Sequence, residues 1–220
     1  MPVPDWSQDI PEFIQAIKND VSQDKKHKSN TIIGKAGVKM IETYKKHGKD
    51  IQEYMVDFLD AMMMEHQRRI QKTILTEEQL IDLHNKSFRG AHDIFLCALW
   101  SKNNAKDIQE LPQILWRLYG IMDLQKDLSK NICNIPKEIG IDIPVNKQDF
   151  ETLLNNKEVQ QWITKTIEAQ KANIEIVRWK YNLLDKPARV LCEWLLPELD
   201  TFINNFNYEE YKKSQLLKKW

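Results

Sequence analysis

Apolar residues recur along this chain three and four positions apart, and strict apolar/polar alternation is nearly absent. That period marks amphipathic helices and leaves no place for a sheet. The pattern predicts a first helix over 10–24, with Pro11 in its opening turn, where a missing N–H costs little. The Lys-rich stretch 24–30 reads as a solvated loop. A second helix covers 31–47 and stops at Gly48, a residue suited to a left-handed C-cap. A third runs over 50–72, and Thr76-Glu-Glu-Gln79 is a capping-box signature opening a fourth that reaches Ser101. The fifth spans 105–130, with Ile108, Leu111, Leu115, Leu118 and Met122 on one side. Residues 131–146, with Pro136, Gly140 and Pro144, break the pattern. Helices over 147–155, 158–184 and 187–205 follow, with a short terminal piece from Tyr208. The expected class is all-α, and the expected organisation a single domain over 1–220.

Charge changes the picture only by exclusion. Lys+Arg and Asp+Glu each number 32, so no global field holds a polyanion, and a nucleic-acid partner is disfavoured. Cys97, Cys133 and Cys192 are far apart and lie in apolar periodic segments, which reads as buried thiols in a reducing, cytoplasmic compartment. The start, Met-Pro-Val-Pro-Asp-Trp, has no basic flank or apolar core of an export signal. No stretch of about 18 uncharged apolar residues occurs, so no transmembrane segment is expected. His27, His47, His66, His84 and His92 do not fall in a metal-binding spacing.

The candidate chemistry begins at Met122-Asp-Leu-Gln-Lys-Asp-Leu128. Residues four apart in a helix share a face, so Asp123 and Asp127 point the same way, one turn apart. Two such carboxylates can hold Mg²⁺, which with open positions can bind a diphosphate. Trp116, Tyr119 and Gly120 lie one and two turns earlier on nearly the same face. Lys126 and Lys130 are within reach of phosphate oxygens. The same spacing also suits a solvated face with ordinary charge pairs.

The stretch from Ile114 to Ile139, with its DxxxD pair followed by Asn134-Ile-Pro-Lys-Glu138, resembles the second aspartate-rich region of squalene and phytoene synthases. Ala61-Met-Met-Met-Glu65, Arg68-Arg69 and Leu75-Thr-Glu-Glu-Gln-Leu80 are similar to a second block of that family, and 194–211 to its closing helix. The resemblance covers roughly 30–215. It implies a terpenoid-synthase-like helical bundle around an apolar cavity, in which a prenyl diphosphate held through Mg²⁺ ionises to an allylic carbocation. On this resemblance Asp123, Asp127 and Glu65 are the expected metal ligands, and Asp123, Asp127 and Tyr119 the catalytic residues. Arg68, Arg69, Lys126 and Lys130 are expected on the diphosphate, and Phe58 and Trp116 on the apolar part of the substrate. Met62, Met63 and Met64 read as core or adaptable lining.

Three departures accompany the resemblance. The family's first aspartate-rich motif has only Asp5 to Asp9 and Asp20 to Asp24 as candidates, so the helix carrying it either precedes this chain or is lost. In Lys86-Ser-Phe-Arg-Gly-Ala-His-Asp93, His84-Asn85 replace an upstream family pair. Arg89, His92 and Asp93 bring charge expected to face water, a partner or the mouth of the cavity. Met122 stands where an arginine is common. A non-catalytic assembly or interaction protein, one subunit of a two-chain synthase, and a plain helical scaffold therefore stand beside the enzyme. Homo- or hetero-oligomers and a peripheral membrane contact for product release are compatible with each.

Overall fold

A computed structural model describes residues 6–22, 32–104, 106–144 and 146–218, without the side chains of 6–9. The Lys-rich stretch 24–30, Asp5 and Asp24 lie outside the described residues. All regular structure among the described residues is helical. The chain runs through α1 (Trp6–Ser22), α2 (Ile32–Lys46), α3 (Gln52–Gln71) and α4 (Glu77–Phe88), then a π-helical turn (Arg89–Asp93) and α5 (Ile94–Ala98). After a loop come α6 (Glu110–Met122) and α7 (Leu124–Leu128), then α8 (Lys147–Asn155), α9 (Lys157–Lys180), α10 (Lys186–Asn204) and α11 (Tyr208–Leu217). No helix among the described residues is long and apolar enough to cross a membrane.

The stop and start signals act as their chemistry requires. Gly48 closes α2 with φ +76°. Thr76 Oγ1 accepts from Gln79 N–H at 3.2 Å while Gln79 Oε1 accepts from Thr76 N–H at 3.0 Å, satisfying both orphan donors. Asn156 and Asp185 cap α9 and α10 one way only, their side chains accepting from first-turn N–H groups. Pro11, expected in an opening turn, lies inside α1, because that helix starts at Trp6, five residues before it.

The main core is centred on α6. Leu111, Ile114, Leu118 and Ile121 are fully buried at helical spacing and meet α9, whose Val159, Ile163, Ile167, Gln170, Ile174 and Val177 are buried every three or four residues. Each apolar side chain among them contributes roughly 1.5–3 kcal/mol when sequestered from water. A smaller cluster of Ile17, Val21, Ile41 and Ile51 joins α1 and α2 to α3. There Asp20, one of the early acidic candidates, is buried against Gly34: a Cβ at Gly34 would lie 2.0 Å from its Oδ2. That burial sets Asp20 into helix packing, away from a cavity mouth.

Two predicted helices are interrupted. The fourth passes through the π turn at Arg89–Asp93, where Gly90 lets α3 approach so closely that a Cβ would sit 2.2 Å from Phe58 Cβ and 2.8 Å from its Cα. Of the charged residues of this turn, Arg89 lines a separate surface cavity with Asp57 and Lys86, whereas Asp93 does not reach solvent. Arg89 pairs with Glu53 at 2.8 Å and Asp57 at 3.0 Å, His92 stacks on Phe88 at 4.1 Å between centroids, and Asp93 is buried. The fifth begins only at Glu110 and breaks at Asp123, whose φ −99° and ψ 12° leave the helical region.

That break is held from outside. Tyr211 OH donates to Ile121 O at 2.9 Å, and Gln125 N–H donates to Gln215 Oε1 at 3.3 Å. An unbroken helix would pair those two backbone groups with each other. Gln215 Nε2 and Lys218 Nζ both donate to Met122 O, at 2.9 and 2.7 Å. Thus α11 supplies hydrogen bonds at the break. The next bonds, Asp123 N–H to Tyr119 O and Asp127 N–H to Asp123 O, still span four residues, so the Asp123/Asp127 spacing survives.

Two stability measurements test this packing. Gly90→Ala should lower the urea-unfolding free energy by about 2–3 kcal/mol, because the methyl meets backbone as well as side chain. Tyr211→Phe should cost about 1–2 kcal/mol, the effect of leaving the buried Ile121 carbonyl without its partner.

Candidate functional site

A cleft of about 300 Å³ opens between α3, α4, α6 and the exit of α7. From α3 come Phe58, Ala61, Met62, Glu65 and Arg68; Phe58, Met62 and Glu65, and Ala61, Glu65 and Arg68, stand three or four residues apart and so share a face. From α4 come Leu83, His84 and Ser87, from α6 Trp116, from α7 Asp127, and from the following loop Ile132 and Asn134. Of the residues singled out in the sequence, Phe58, Glu65, Arg68, Trp116 and Asp127 are brought together here. They come from segments up to 69 positions apart.

The polar side of the cleft is a chain of hydrogen bonds. Arg68, only 4 % exposed, donates from Nε to Glu65 Oε2 at 2.7 Å, from Nη1 to Cys133 O at 3.2 Å and from Nη2 to Asn134 Oδ1 at 2.9 Å. Asn134 Nδ2 passes the chain on to Asp127 Oδ2 at 3.0 Å. A buried guanidinium is tolerable only when its donors are matched in this way. Asn134 reaches its place because Gly120 has no side chain; a Cβ there would stand 3.1 Å from Asn134 Cβ. The loop is fixed farther along, where Lys137 N–H donates to Leu75 O at 2.8 Å and Glu138 accepts from Glu77 N–H.

Burial pushes the Asp127 carboxyl up to about 6, with the negative charges of Asp123 and Glu65 adding to the effect. Asp123 is half-buried, lies outside the cleft lining and pairs with Lys126 at 3.2 Å. His84 is sealed under Trp116, the rings stacked at 5.3 Å and 10°. Burial, with the nearby Arg117 and Arg68 cations, drives its imidazole down to about 3, so it is neutral at any physiological pH.

The other expected residues fall outside the cleft lining. Tyr119 turns toward α10, its hydroxyl 3.3 Å from Glu198 Oε2. Arg69 and Lys130 are exposed and do not line the cleft, and Lys126 is held by Asp123. Met63 and Met64 are half-buried away from it, whereas Met62 forms part of its wall. Among the described residues no three His, Cys, Asp or Glu side chains converge closely enough to hold a metal ion. The charges of Asp123 and Glu65 both act on Asp127, but the three do not form such a cage. Cys133 and Cys192 are buried free thiols, and Cys97 is a half-buried one.

His84 and Asn134 are the functional candidates that periodicity did not single out. Asn134 stood in the segment after the DxxxD pair, and His84 in the departure from the family's pattern, so each had a local signal without a geometric one. Lys218 also joins the site electrically: burial lowers its ammonium, and Asp123 and Asp127 oppose that shift.

The pH dependence follows from Asp127. A carboxyl whose folded value lies above its unfolded one leaves the fold binding an extra proton between the two. Its stabilising effect is fully present below the ordinary 3.8 and is lost as the pH rises through about 6. Partial exposure reduces the effect to ~1 kcal/mol. Without divalent metal, Asp127→Asn should therefore raise the melting temperature at pH 8 and leave it unchanged at pH 3, as followed by circular dichroism.

In comparisons with protein-family models, curated proteins and solved structures, nothing matches this chain.

Proposed function

We propose that the chain is a Mg²⁺-dependent enzyme of isoprenoid biosynthesis that takes the diphosphate end and first isoprene portion of a prenyl diphosphate into the Phe58–Trp116 cleft. The observation that carries the reading is the meeting of Phe58, Glu65, Arg68, Trp116 and Asp127 in one cleft with an apolar wall and a carboxylate rim. A volume of about 300 Å³ is at the small end of ligand pockets, which suits a headgroup and a short allylic segment.

The donor set suits a magnesium ion shared with phosphate and water, which needs only one or two protein carboxylates. Asp127 and Asp123 would hold it. The elevated Asp127 carboxyl is a place where negative charge is poorly compensated, and a divalent cation there relieves it. When bound, the ion would neutralise charge developing on the departing diphosphate. The chain's own groups do the rest. Lys126, exposed beside Asp123, can swing to phosphate oxygens, while Phe58, Met62 and Trp116 keep water from the allylic carbon and the Trp116 face stabilises positive charge. Arg68 acts by holding Glu65 and Asn134 in place, because its guanidinium is already engaged. The free thiols fit a reducing, cytoplasmic setting.

A second reading, a non-catalytic interaction protein with the same helices, draws on that engagement of Arg68, which ties α3 to the loop after α7 instead of leaving a clamp for phosphate. Titration calorimetry with a non-hydrolysable prenyl thiodiphosphate separates the two. The expected outcome is Mg²⁺-dependent binding, weakened at least about tenfold by Asp123→Ala with Asp127→Ala, the loss of a bridged ion contact being worth more than 1.4 kcal/mol. Binding indifferent to Mg²⁺, or none, overturns the enzyme reading.

A further inference from the structure

His84 lines the Asp127 cleft without a hydrogen bond to any of the described residues. It is only 2 % exposed, and its ring lies flat against the Trp116 indole, so only the ring edge is left for hydrogen bonding. The two ring nitrogens differ in access. Nδ1 is sealed from solvent and has no partner. Nε2 has no partner among the described residues either, yet it is not sealed, so it is the nitrogen that meets the cleft.

A second sealed atom without a partner belongs to Arg117, the residue that follows Trp116 on α6. Arg117 is 6 % exposed and gives Nη2 to Glu77, while its Nη1 is unmatched. A guanidinium nitrogen can only donate, and the bare nitrogen of a neutral imidazole can only accept. Each is costly when buried alone, and the cost falls when they are matched to each other. The two residues are close enough to interact: after burial, Arg117 is the largest influence on the His84 ring, followed by Arg68. Burial and these cations drive the imidazole down to about 3 and keep it neutral. A neutral ring carries one proton, and with Nδ1 accepting, that proton is on Nε2.

From this arrangement we infer that His84 is an uncharged hydrogen-bond donor to the ligand of the cleft, its Nδ1 turned to Arg117 Nη1 and its Nε2–H presented to a phosphate oxygen. The inference rests on the reading of the cleft as a diphosphate site. It supplies the phosphate contact that Arg68 does not, since that guanidinium is engaged by Glu65, Cys133 and Asn134. Glu77 and Glu65 pair with the two arginines, yet the charges that act on the His84 ring are those of the cations. An anionic acceptor at the ring edge is therefore favoured over a neutral one.

Nitrogen NMR of the full chain with isotope-labelled histidine tests the tautomer, and titration calorimetry with the prenyl thiodiphosphate and Mg²⁺ tests the contact. At neutral pH the His84 resonances, identified by their loss in His84→Gln, should show a bare Nδ1 and a protonated Nε2. His84→Phe keeps a flat ring against Trp116 and should weaken binding at least about tenfold, the effect of losing a hydrogen bond to a charged group. His84→Gln carries an amide N–H at the reach of Nε2 and should bind within about threefold of the parent chain, whereas His84→Asn, whose amide corresponds to Nδ1, should bind as weakly as the phenylalanine variant. A protonated Nδ1 in the parent chain overturns the inference whatever the variants do. So does unchanged binding by His84→Phe, or binding by His84→Gln no better than by His84→Phe. If Asp123→Ala with Asp127→Ala still weakens Mg²⁺-dependent binding in those cases, the diphosphate reading stands without His84. Absent or Mg²⁺-indifferent binding by the parent chain overturns both.

Discussion

The arrangement depends most on the break in the helix at Asp123 and on the way α11 holds it. Backbone groups released inside a protein must find partners, since an unmatched buried carbonyl or amide costs on the order of 1–3 kcal/mol. Tyr211 and Gln215 provide those partners for Ile121 and Gln125, and Gln215 and Lys218 do so for Met122. The chain between α6 and α7 is thereby fixed at an angle that helical bonding alone would not give. Leu124 and Leu128 remain in the core while Asp127 lines the cleft.

What Asp127 meets there is also determined by the break. The short α7 ends by Asn131, which has positive φ, and the chain returns at once to bury Cys133 and Ile135. Asn134, between those two buried residues, is presented to Asp127 on one side and Arg68 on the other. Arg68 is buried, and its charge is balanced by Glu65, a carbonyl and an amide oxygen. Asp127 is partly desolvated, receives one amide hydrogen bond, and feels two negative neighbours, Asp123 and Glu65, against two positive ones, Lys126 and Arg68. Burial outweighs the nearby cations at Asp127 and raises its carboxyl, while the Arg68 guanidinium is fully bonded.

The opposite imbalance occurs on the outer side of α9 and α10. The inner faces are buried against α6, and the outer faces leave large apolar side chains in water without a groove to shelter them. Contiguous exposed apolar surface of this kind is uncommon on a protein that acts alone. Both features are local departures from the rule that buried charge is paired and exposed surface is polar. The half-buried pair of Glu110 with Lys180 follows that rule.

By itself the sequence determined the helical class and most of the boundaries, because period, caps and breakers are local properties of the chain. The helix over 147–155 and the capping box at Thr76 needed no knowledge of neighbours. The spacing of Asp123 and Asp127 was legible for the same reason. Tertiary structure alone decided that the helix breaks at Asp123, since the groups that stabilise the break, Tyr211, Gln215 and Lys218, are about 90 residues away. It also decided that Tyr119 and Lys130 leave the cleft while Asn134 and His84 join it. A single face of a helix spans many residues, and only packing against α3 and α4 selects which of them meet. The Gly90 approach and the buried Asp93 likewise depend on α3, whose distance from that turn no local pattern records.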